Sequence, residues 1–511
     1  MDADVLVVGG GHNGLVAAWY LARAGLRVRV FERRPFVGGA AITEELWPGF
    51  RFSTCAHMVH AIHPRIIRDL RLRERGFEVL HRPPPMVINP DGTYYGPPAH
   101  DAPRNAARLG ALSAAEREGL ERFAAFKRAL NRLFAPDRLG PPPALEAVRV
   151  RAAAPGAAEA LELAQTRTCG QVRAHFLPTE RLRARFFADK AAVARDPLAL
   201  SYAYSSIDEP DAATGETPPE GYVRGGTGAF TRMVAAAVAE AGVEVHPDHE
   251  VERLLVEAGR VIGLRLAGGR EVRARAVVSN LDPKRTFLRL LEAADLPPGL
   301  AARVGALPTD VSCVKLLAAL DEAPVWKDWD GDPALPGRGS VGLHRTPRQV
   351  TAMWDDLEAG RPPRELVVSF SLPSAADPGL APPGKHTASC WIFSAPARLR
   401  EGTWDGVREA VAERLIDQIT AYAPNFRRAI RAYRLRTPLD LERENGLTDG
   451  SIWHVQHTGE HLFWNRPLPE LARYRAPLPG LYLCGAGQHP GGEVSGLPGH
   501  NAAHELLRDL G

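Results

Sequence analysis

The sequence predicts an α/β protein built on a Rossmann-type dinucleotide-binding domain, with an α+β region inserted into it. Two observations indicate this fold. The motif Gly9-x-Gly11-x-x-Gly14 stands between an apolar run and a helical pattern, the context that a dinucleotide-binding turn requires. A second glycine-rich segment at 485–492 again follows a short apolar run and precedes a helical pattern. Because these segments lie at opposite ends of the chain, one domain is expected to form from separated pieces.

The N-terminal segment is predicted to form strand, turn, helix and strand in that order. The run at 5–8 is continuously apolar, as a strand of a buried parallel sheet needs to be. Leu15, Ala18 and Leu21 then recur at helical spacing, and Gly25 is placed to end that helix. Residues 27–31 give the second strand.

The segment from about 65 to 215 has a helical composition. Ser113 followed by Glu116 is the signature of a capping box at the start of a helix. An apolar stripe follows it, formed by Leu120, Phe123, Phe126, Leu130, Leu133 and Phe134. A helical insertion is therefore expected.

The remaining chain is predicted to alternate between strands and helices. A helix at 230–241 precedes strands at 243–245, 250–256, 261–266 and 272–278, with Gly268-Gly269 as a hairpin turn. Further strands are predicted at 366–372 and 387–394, and a helix at 407–422 stops before Pro424. The dinucleotide-binding domain is accordingly assigned to 1–70, 215–300 and 445–511, and the substrate region to 71–214 and 301–444.

Composition excludes several classes of protein. Hydrophobic residues at 45% and charged residues at 24% are typical of a globular protein and argue against disorder or a coiled coil. A net charge of +3 is too balanced for a nucleic-acid binder. The five cysteines lack CxxC spacing, so neither a redox disulfide nor a zinc ribbon is expected. No targeting segment or long apolar run is evident, and a cytoplasmic location is expected.

The first glycine motif predicts how a dinucleotide would bind. Gly9 permits the tight turn, Gly11 lets a pyrophosphate approach the backbone, and Gly14 allows close packing of helix and strand. The following helix offers free N–H groups to the phosphates. Glu32 ends the second strand, where its carboxylate can accept both ribose hydroxyls.

Two further features favour FAD over NAD. Gly38-Gly39 follows the second strand, where the chain can run beside an extended flavin nucleotide. The tail places Gly485 and Gly492 in a loop before a helix whose N-terminus can face the flavin, where negative charge develops on reduction. NAD enzymes do not need such a second loop.

With GGTGAF at 225–230, VSNLDPKRTF at 278–287 and LYLCGAGQHPGG at 481–492, the sequence resembles the phytoene desaturase-like branch, with its desaturase-type carotenoid ketolases, of the FAD-dependent amine-oxidase superfamily. The resemblance implies bound FAD. It also implies a set of cofactor contacts: Gly9, Gly11, Gly14, Glu32, Gly39, Val251, Gly485, Gly492 and Val494. The chain departs from the family pattern at Gln488, usually Thr, and at Glu493, usually Gly.

Histidines and aromatic residues near these motifs are weaker candidates. His489 stands in the tail loop and is the one tentative catalytic residue. His57, His60 and His63 recur every third residue after Cys55, but no further ligand accompanies them, so packing or a flavin-side role is favoured over metal binding. No metal site is expected. A last group is compatible with either core packing or a site: His454, His457, Trp453, Phe463 and Trp464.

The function expected from these features is FAD-dependent oxidation, by desaturation or ketolation, of a hydrophobic small molecule. A flavin amine oxidase is an alternative, although no aromatic cage for a substrate nitrogen is evident. A non-enzymatic carrier of lipid or prenyl groups on the same fold is a second alternative, which the intact cofactor motifs disfavour. The basic stripe from Arg117 to Arg132 fits either a solvated helix face or a peripheral membrane contact.

Overall fold

A computed structural model describes residues 2–83, 86–88, 94–95, 113–154, 156–185, 195–203, 210–211, 215–327, 329, 332–343 and 346–511. Its central element is a five-stranded sheet whose strand pairs are all parallel. In spatial order the strands are Leu481–Leu483, Ala276–Ser279, Val5–Val8, Val28–Phe31 and Glu244–His246. The first strand is central and its four residues are buried, which explains its continuous apolar run.

Three helices cover this parallel sheet. His12–Arg23 follows the first strand and packs against both Thr227–Glu240 and the C-terminal helix Leu497–Leu510. The tail strand Leu481–Leu483 pairs with Ala276–Ser279, so the end of the chain completes the sheet that the beginning starts. The predicted Rossmann-type α/β fold is thereby confirmed.

A three-stranded antiparallel meander adjoins the parallel sheet. Its strands are Val251–Glu257, Arg260–Leu266 and Glu271–Arg273, and Gly268 and Gly269 form the last turn with φ of 93° and 89°. The single strand predicted over 272–278 is wrong, because the chain leaves the meander after Arg273 and enters the parallel sheet at Ala276. Between them the backbone N–H of Arg275 bonds to Asp4, which turns the chain from one sheet into the other.

The inserted region contains a seven-stranded mixed sheet. Its order is Ile430–Arg436, Val311–Leu320, His386–Pro396, Val368–Ser371, Val341–Leu343, Met86–Ile88 and Tyr94–Tyr95. The strands predicted at 366–372 and 387–394 are present with slightly different bounds. Val311–Leu320, which the sequence analysis does not assign, is buried over all ten residues.

Helices around 114–203 form a separate hydrophobic cluster. Helix Ala114–Phe134 begins with the predicted capping box, in which Ser113 Oγ accepts from the Glu116 N–H at 3.2 Å and Glu116 accepts from the Ser113 N–H at 2.9 Å. Its apolar stripe packs against neighbouring helices and Phe463. Phe123, Leu130 and Phe134 in this stripe are almost completely buried.

The described residues form further α-helices. They are Pro64–Asp69, Leu145–Arg151, Ala157–Thr166, Cys169–Phe176, Glu180–Arg185, Pro283–Leu288, Leu300–Gly305, Leu335–Arg338, Pro347–Glu358, Pro373–Ala376, Trp404–Tyr422, Phe426–Ala429 and Pro438–Asn445. Two short strand pairs, Thr43–Trp47 with Phe50–Ser53 and Val79–His81 with Gly221–Val223, lie beside the sheets. The strands of the parallel sheet all fall within 1–70, 215–300 and 445–511, although the exact domain boundaries stay a prediction.

Candidate functional site

A cavity of about 690 Å³ lies where the C-terminal ends of the parallel strands meet the inserted region. In sheets of this kind, ligands bind beyond the carboxyl ends of the strands. Predicted cofactor residues from four separate segments line the cavity: Gly9, Gly11, Glu32, Gly39, Val251, Gly492 and Val494. Segments distant in sequence thus converge on one site.

The first glycine turn is closely surrounded by side-chain and backbone atoms. Gly9 has φ of +94°, and a Cβ added at Gly11 would lie 2.6 Å from Asn280 Nδ2. Gly39 has φ of +58°, and a Cβ there would lie 3.0 Å from the Cα of Gly11. Gly11 caps helix His12–Arg23 without a side-chain hydrogen bond. This bare helix N-terminus in a narrow glycine cradle fits a pyrophosphate.

Glu32 is held at the end of the second strand by the backbone. One carboxylate oxygen accepts from the Gly10 N–H at 2.8 Å, and the other accepts from the Arg34 N–H at 2.9 Å. The side chain is nearly buried yet lines the cavity. Because each carboxylate oxygen has two acceptor positions, Glu32 can still accept from ribose hydroxyls.

Gly14 and Gly485, the other two predicted cofactor contacts, are not among the residues that line the cavity. A Cβ at Gly14 would lie 2.3 Å from the carbonyl oxygen of Gly9, so this glycine serves the close helix–turn packing predicted for it. A Cβ at Gly485 would lie 2.8 Å from the Asn280 carbonyl and 2.9 Å from that of Leu281. Gly485 therefore packs the tail against residues that wall the cavity, and its neighbour Ala486 reaches the cavity itself.

His489 lies in a second, much smaller cavity of about 20 Å³ with Phe134 and Phe463. Its Nε2 is 3.1 Å from the Asp137 carbonyl, and burial lowers its pKa to about 3. The residues lining the large cavity do not include His489. The two cavities share Gly492 and Glu493, so His489 is separated from the large cavity by the tail loop.

The histidines after Cys55 divide into two roles. His57 and His60 line the large cavity, where His60 Nε2 pairs with Glu493 at 3.2 Å. Burial disfavours a charged His60, but the Glu493 carboxylate outweighs it and the pKa of His60 is raised. His63 instead caps helix Pro64–Asp69, its Nδ1 accepting from the Arg65 N–H.

The later histidines and aromatic residues lie in different places: at the large cavity, at the small cavity or in the protein interior. His454 and Trp453 line the large cavity, and burial lowers the pKa of His454 to about 4. Phe463 packs on Phe134 in the helical cluster and lines the small cavity. His457 is buried in the protein interior and does not line the large cavity.

Sequence reasoning missed Lys315. This residue does not line the cavity, but it hydrogen-bonds to a segment that does. Its ammonium donates to the carbonyls of Ser53 at 2.6 Å and Cys55 at 2.7 Å, and it lies 4.8 Å from the centre of the Trp391 ring. Burial lowers its pKa to about 7. A single lysine within the run VSCVKLLAAL, in which Ser312 is the one other polar residue, is the signal that could have revealed it.

The segment 443–445, where the inserted region joins the cofactor domain, lies over the glycine cradle. Arg33 donates to the carbonyls of Arg443 and Glu444 at 3.0 and 3.1 Å, and Asn445 Nδ2 donates to the Gly39 carbonyl at 3.1 Å. Charged side chains of both signs line the cavity: Arg33, Glu250, Glu252, Asp282, Arg285 and Arg289. Such groups suit the phosphates and hydroxyls of a nucleotide.

Within the described ranges, no group of three or more His, Cys, Asp or Glu residues could hold a metal ion. All five cysteines are buried thiols. No helix in the described part of the chain is long and apolar enough to cross a membrane.

The parallel sheet, the glycine cradle, Glu32 and the tail loop together define a Rossmann-type protein that holds an extended flavin dinucleotide. The chain belongs to the flavin containing amine oxidoreductase family, whose model matches residues 14–505. The resemblance found in the motifs is confirmed, and the protein is an FAD-dependent oxidoreductase.

Known proteins resemble the chain along its whole length. Pyridine nucleotide-disulfide oxidoreductase domain-containing protein 2 of Rattus norvegicus is 33% identical, covering 100% of this chain and 94% of its own. The lycopene-forming phytoene desaturase of Pseudescherichia vulneris is 27% identical over 99% and 98% of the two chains. A putrescine oxidase double mutant has a TM-score of 0.65 at 15% identity, covering 99% and 98%, and shows the fold alone.

Proposed function

We propose that this oxidoreductase desaturates or ketolates a largely apolar small molecule inside the large cavity. The observation that carries the proposal is a hydrophobic cluster, here called the junction cluster, where the inserted region meets the cofactor domain. It consists of Ala40, Cys55, Cys313, Trp391, Leu441, Leu447 and Ile452. Five of these seven residues line the cavity: Ala40, Cys55, Trp391, Leu447 and Ile452.

The junction cluster gives the cavity two chemically different ends. Glu32, Arg285, Met58 and Trp453 all line the cavity. We infer that the charged groups surround the nucleotide end and that the apolar side chains add to the junction cluster at the other. Burial of apolar surface contributes about 25 cal/mol per Å², so an apolar molecule can bind there with few polar anchors. The name of the phytoene desaturase relative supports a substrate of this class.

The chain's own residues would hold the cofactor and exclude water. Glu32 would hold the ribose, the N-terminus of helix His12–Arg23 the pyrophosphate, and the loop of Gly492 and Val494 the ring system. When bound, FAD would supply an acceptor for a hydride, one proton with two electrons, from the substrate. The junction cluster would place a C–H bond beside it in an apolar setting.

Anaerobic stopped-flow mixing tests the proposal. The FAD-loaded protein is mixed separately with a polyene such as phytoene in detergent, with putrescine, and with NADPH, and flavin absorbance is followed. The proposal expects bleaching of the flavin by the apolar donor and none by NADPH alone. Rapid stoichiometric reduction by NADPH, with no response to any lipophilic donor, would replace the proposal with a reductase. Reduction by putrescine alone would replace it with an amine oxidase.

A further inference from the structure

The geometry of His57 fixes which of its ring nitrogens carries a proton. The indole Nε1–H of Trp391 donates to His57 Nδ1 at 2.5 Å. An indole nitrogen can only donate, so His57 Nδ1 must be the acceptor. A neutral imidazole carries one proton, and that proton is therefore on Nε2. Trp391 thus makes His57 a hydrogen-bond donor through Nε2.

The surroundings of His57 keep it in this neutral form. Burial, together with the positive charges of Lys315 and Arg82, lowers its pKa well below the ordinary histidine value. His60, the neighbouring cavity residue, also disfavours a second positive charge. The donor at Nε2 is therefore present across the neutral and alkaline pH range.

Among the residues that the structure describes, the Nε2–H of His57 donates no hydrogen bond. His57 lines the large cavity beside Ala56, Met58 and Trp391, and it also lines a cavity of about 10 Å³, which is too small for a substrate. The nearby His60 Nε2 is already paired with Glu493. A donor left without an acceptor when a ligand excludes water destabilises the complex.

We propose that His57 Nε2–H donates to an oxygen atom of the substrate, so that the site prefers an apolar molecule carrying a carbonyl, ether or hydroxyl oxygen over the matching hydrocarbon. This inference rests on the proposed function and narrows its substrate class. Trp391 acts as a positioning residue because it sets the tautomer and orientation of His57 without itself needing to touch that oxygen.

Equilibrium binding of matched probes tests the inference. Limonene and its ketone carvone form one pair, and β-carotene and its ketone echinenone form a larger pair. Each is titrated into the oxidised, FAD-loaded protein while the flavin absorption spectrum is recorded. The wild-type protein is expected to bind at least one ketone about tenfold more tightly than its hydrocarbon, the effect of one buried hydrogen bond.

Four variants assign that preference to His57. His57→Phe is expected to reduce the preference for the ketone to below about twofold. Trp391→Phe is expected to give an intermediate preference, because the tautomer of His57 is no longer fixed. His57→Gln keeps an N–H donor and is expected to restore part of the preference, which guards against a purely structural effect. His81→Phe changes an exposed histidine and is expected to leave the preference unchanged.

The outcomes separate the two proposals. Equal binding of ketone and hydrocarbon by the wild-type protein, or an unchanged preference in His57→Phe, would overturn the role of His57 while leaving an apolar substrate intact. An altered flavin spectrum in ligand-free His57→Phe with the preference retained would mean that His57 donates to the cofactor, which also overturns the inference. If no apolar probe of either kind binds, the proposed function and this inference both fail.

Discussion

The two ends of the cavity are built in different ways. At the nucleotide end, Gly9, Gly11 and Glu32 come from one short strand–turn–helix–strand unit, and local motifs determine their positions. At the junction cluster, His57 meets Trp391 across 334 residues of sequence, and Lys315 reaches Cys55 across 260. The cofactor end can therefore be predicted from local sequence, whereas the structure of the substrate end depends on how two sheets pack against each other.

This difference suggests a different response to mutation at each end. A glycine in the cradle has side-chain or backbone atoms within about 3 Å of an added Cβ, so a larger side chain needs its neighbours to move. A residue behind the junction cluster acts by holding a neighbouring segment in place, and its loss should shift that segment without removing the fold.

The largest effect is expected from Gly11→Val. Its Cβ would lie 2.6 Å from Asn280 Nδ2 and fill the space that the pyrophosphate needs. The purified variant should contain less than about a tenth of the wild-type flavin, a loss of at least about 1.4 kcal/mol in binding. The ratio of flavin to protein absorbance measures this directly.

Gly140→Val provides the control, since nothing lies within 4 Å of a Cβ added there. This variant should keep its flavin. Full flavin content in Gly11→Val would show that the first glycine turn does not hold the pyrophosphate.

A smaller effect is expected from Lys315→Met, which tests the junction cluster. The substitution leaves the Ser53 and Cys55 carbonyls without their donor, at a cost of about 1–3 kcal/mol each. Removing a buried ammonium offsets part of that cost. We expect a destabilised protein that retains FAD, with Lys327→Met, which changes an exposed lysine, as the control.

The effect of Lys315→Met on the free energy of unfolding should change with pH in a direction that follows from the pKa of Lys315. The folded-state pKa of Lys315 is lowered to about 7 from an ordinary value of 10.5. Between these values the unfolded chain binds a proton that the folded chain does not, so Lys315 makes the free energy of unfolding rise with pH. In urea unfolding, the free energy of unfolding of the wild type relative to that of the variant should be larger at pH 9 than at pH 7. A constant difference would mean that Lys315 titrates normally.

Several expectations from the sequence hold because their causes are local. The capping box at Ser113 depends on residues three positions apart, and the turn at Gly268-Gly269 depends on two adjacent glycines. The strand predicted over 272–278 failed because hydrophobic pattern alone cannot tell which sheet a strand joins. His489 was singled out from its loop, but the direction of the chain after Gly487 carries it to the small cavity.

The smallest effect is expected from Glu493→Gln. The pair between His60 and Glu493 is partly exposed, so its contribution should stay below about 1 kcal/mol. Because the pKa of His60 is raised, that contribution is complete below the unfolded value of 6.5 and disappears as pH rises through the folded value. The variant should therefore cost more stability at pH 6 than at pH 8.5. Equal costs at both values would refute a charged pair.

Release and identification of the flavin most directly test the central claim, that separated segments assemble one FAD site. The purified wild-type protein is denatured and its supernatant is analysed by chromatography. The structure predicts about one FAD per chain, released completely because only non-covalent contacts are provided by Glu32, the glycine cradle and the tail loop. A colourless protein that cannot be loaded with FAD, or a flavin that stays attached to the denatured chain, would contradict this account.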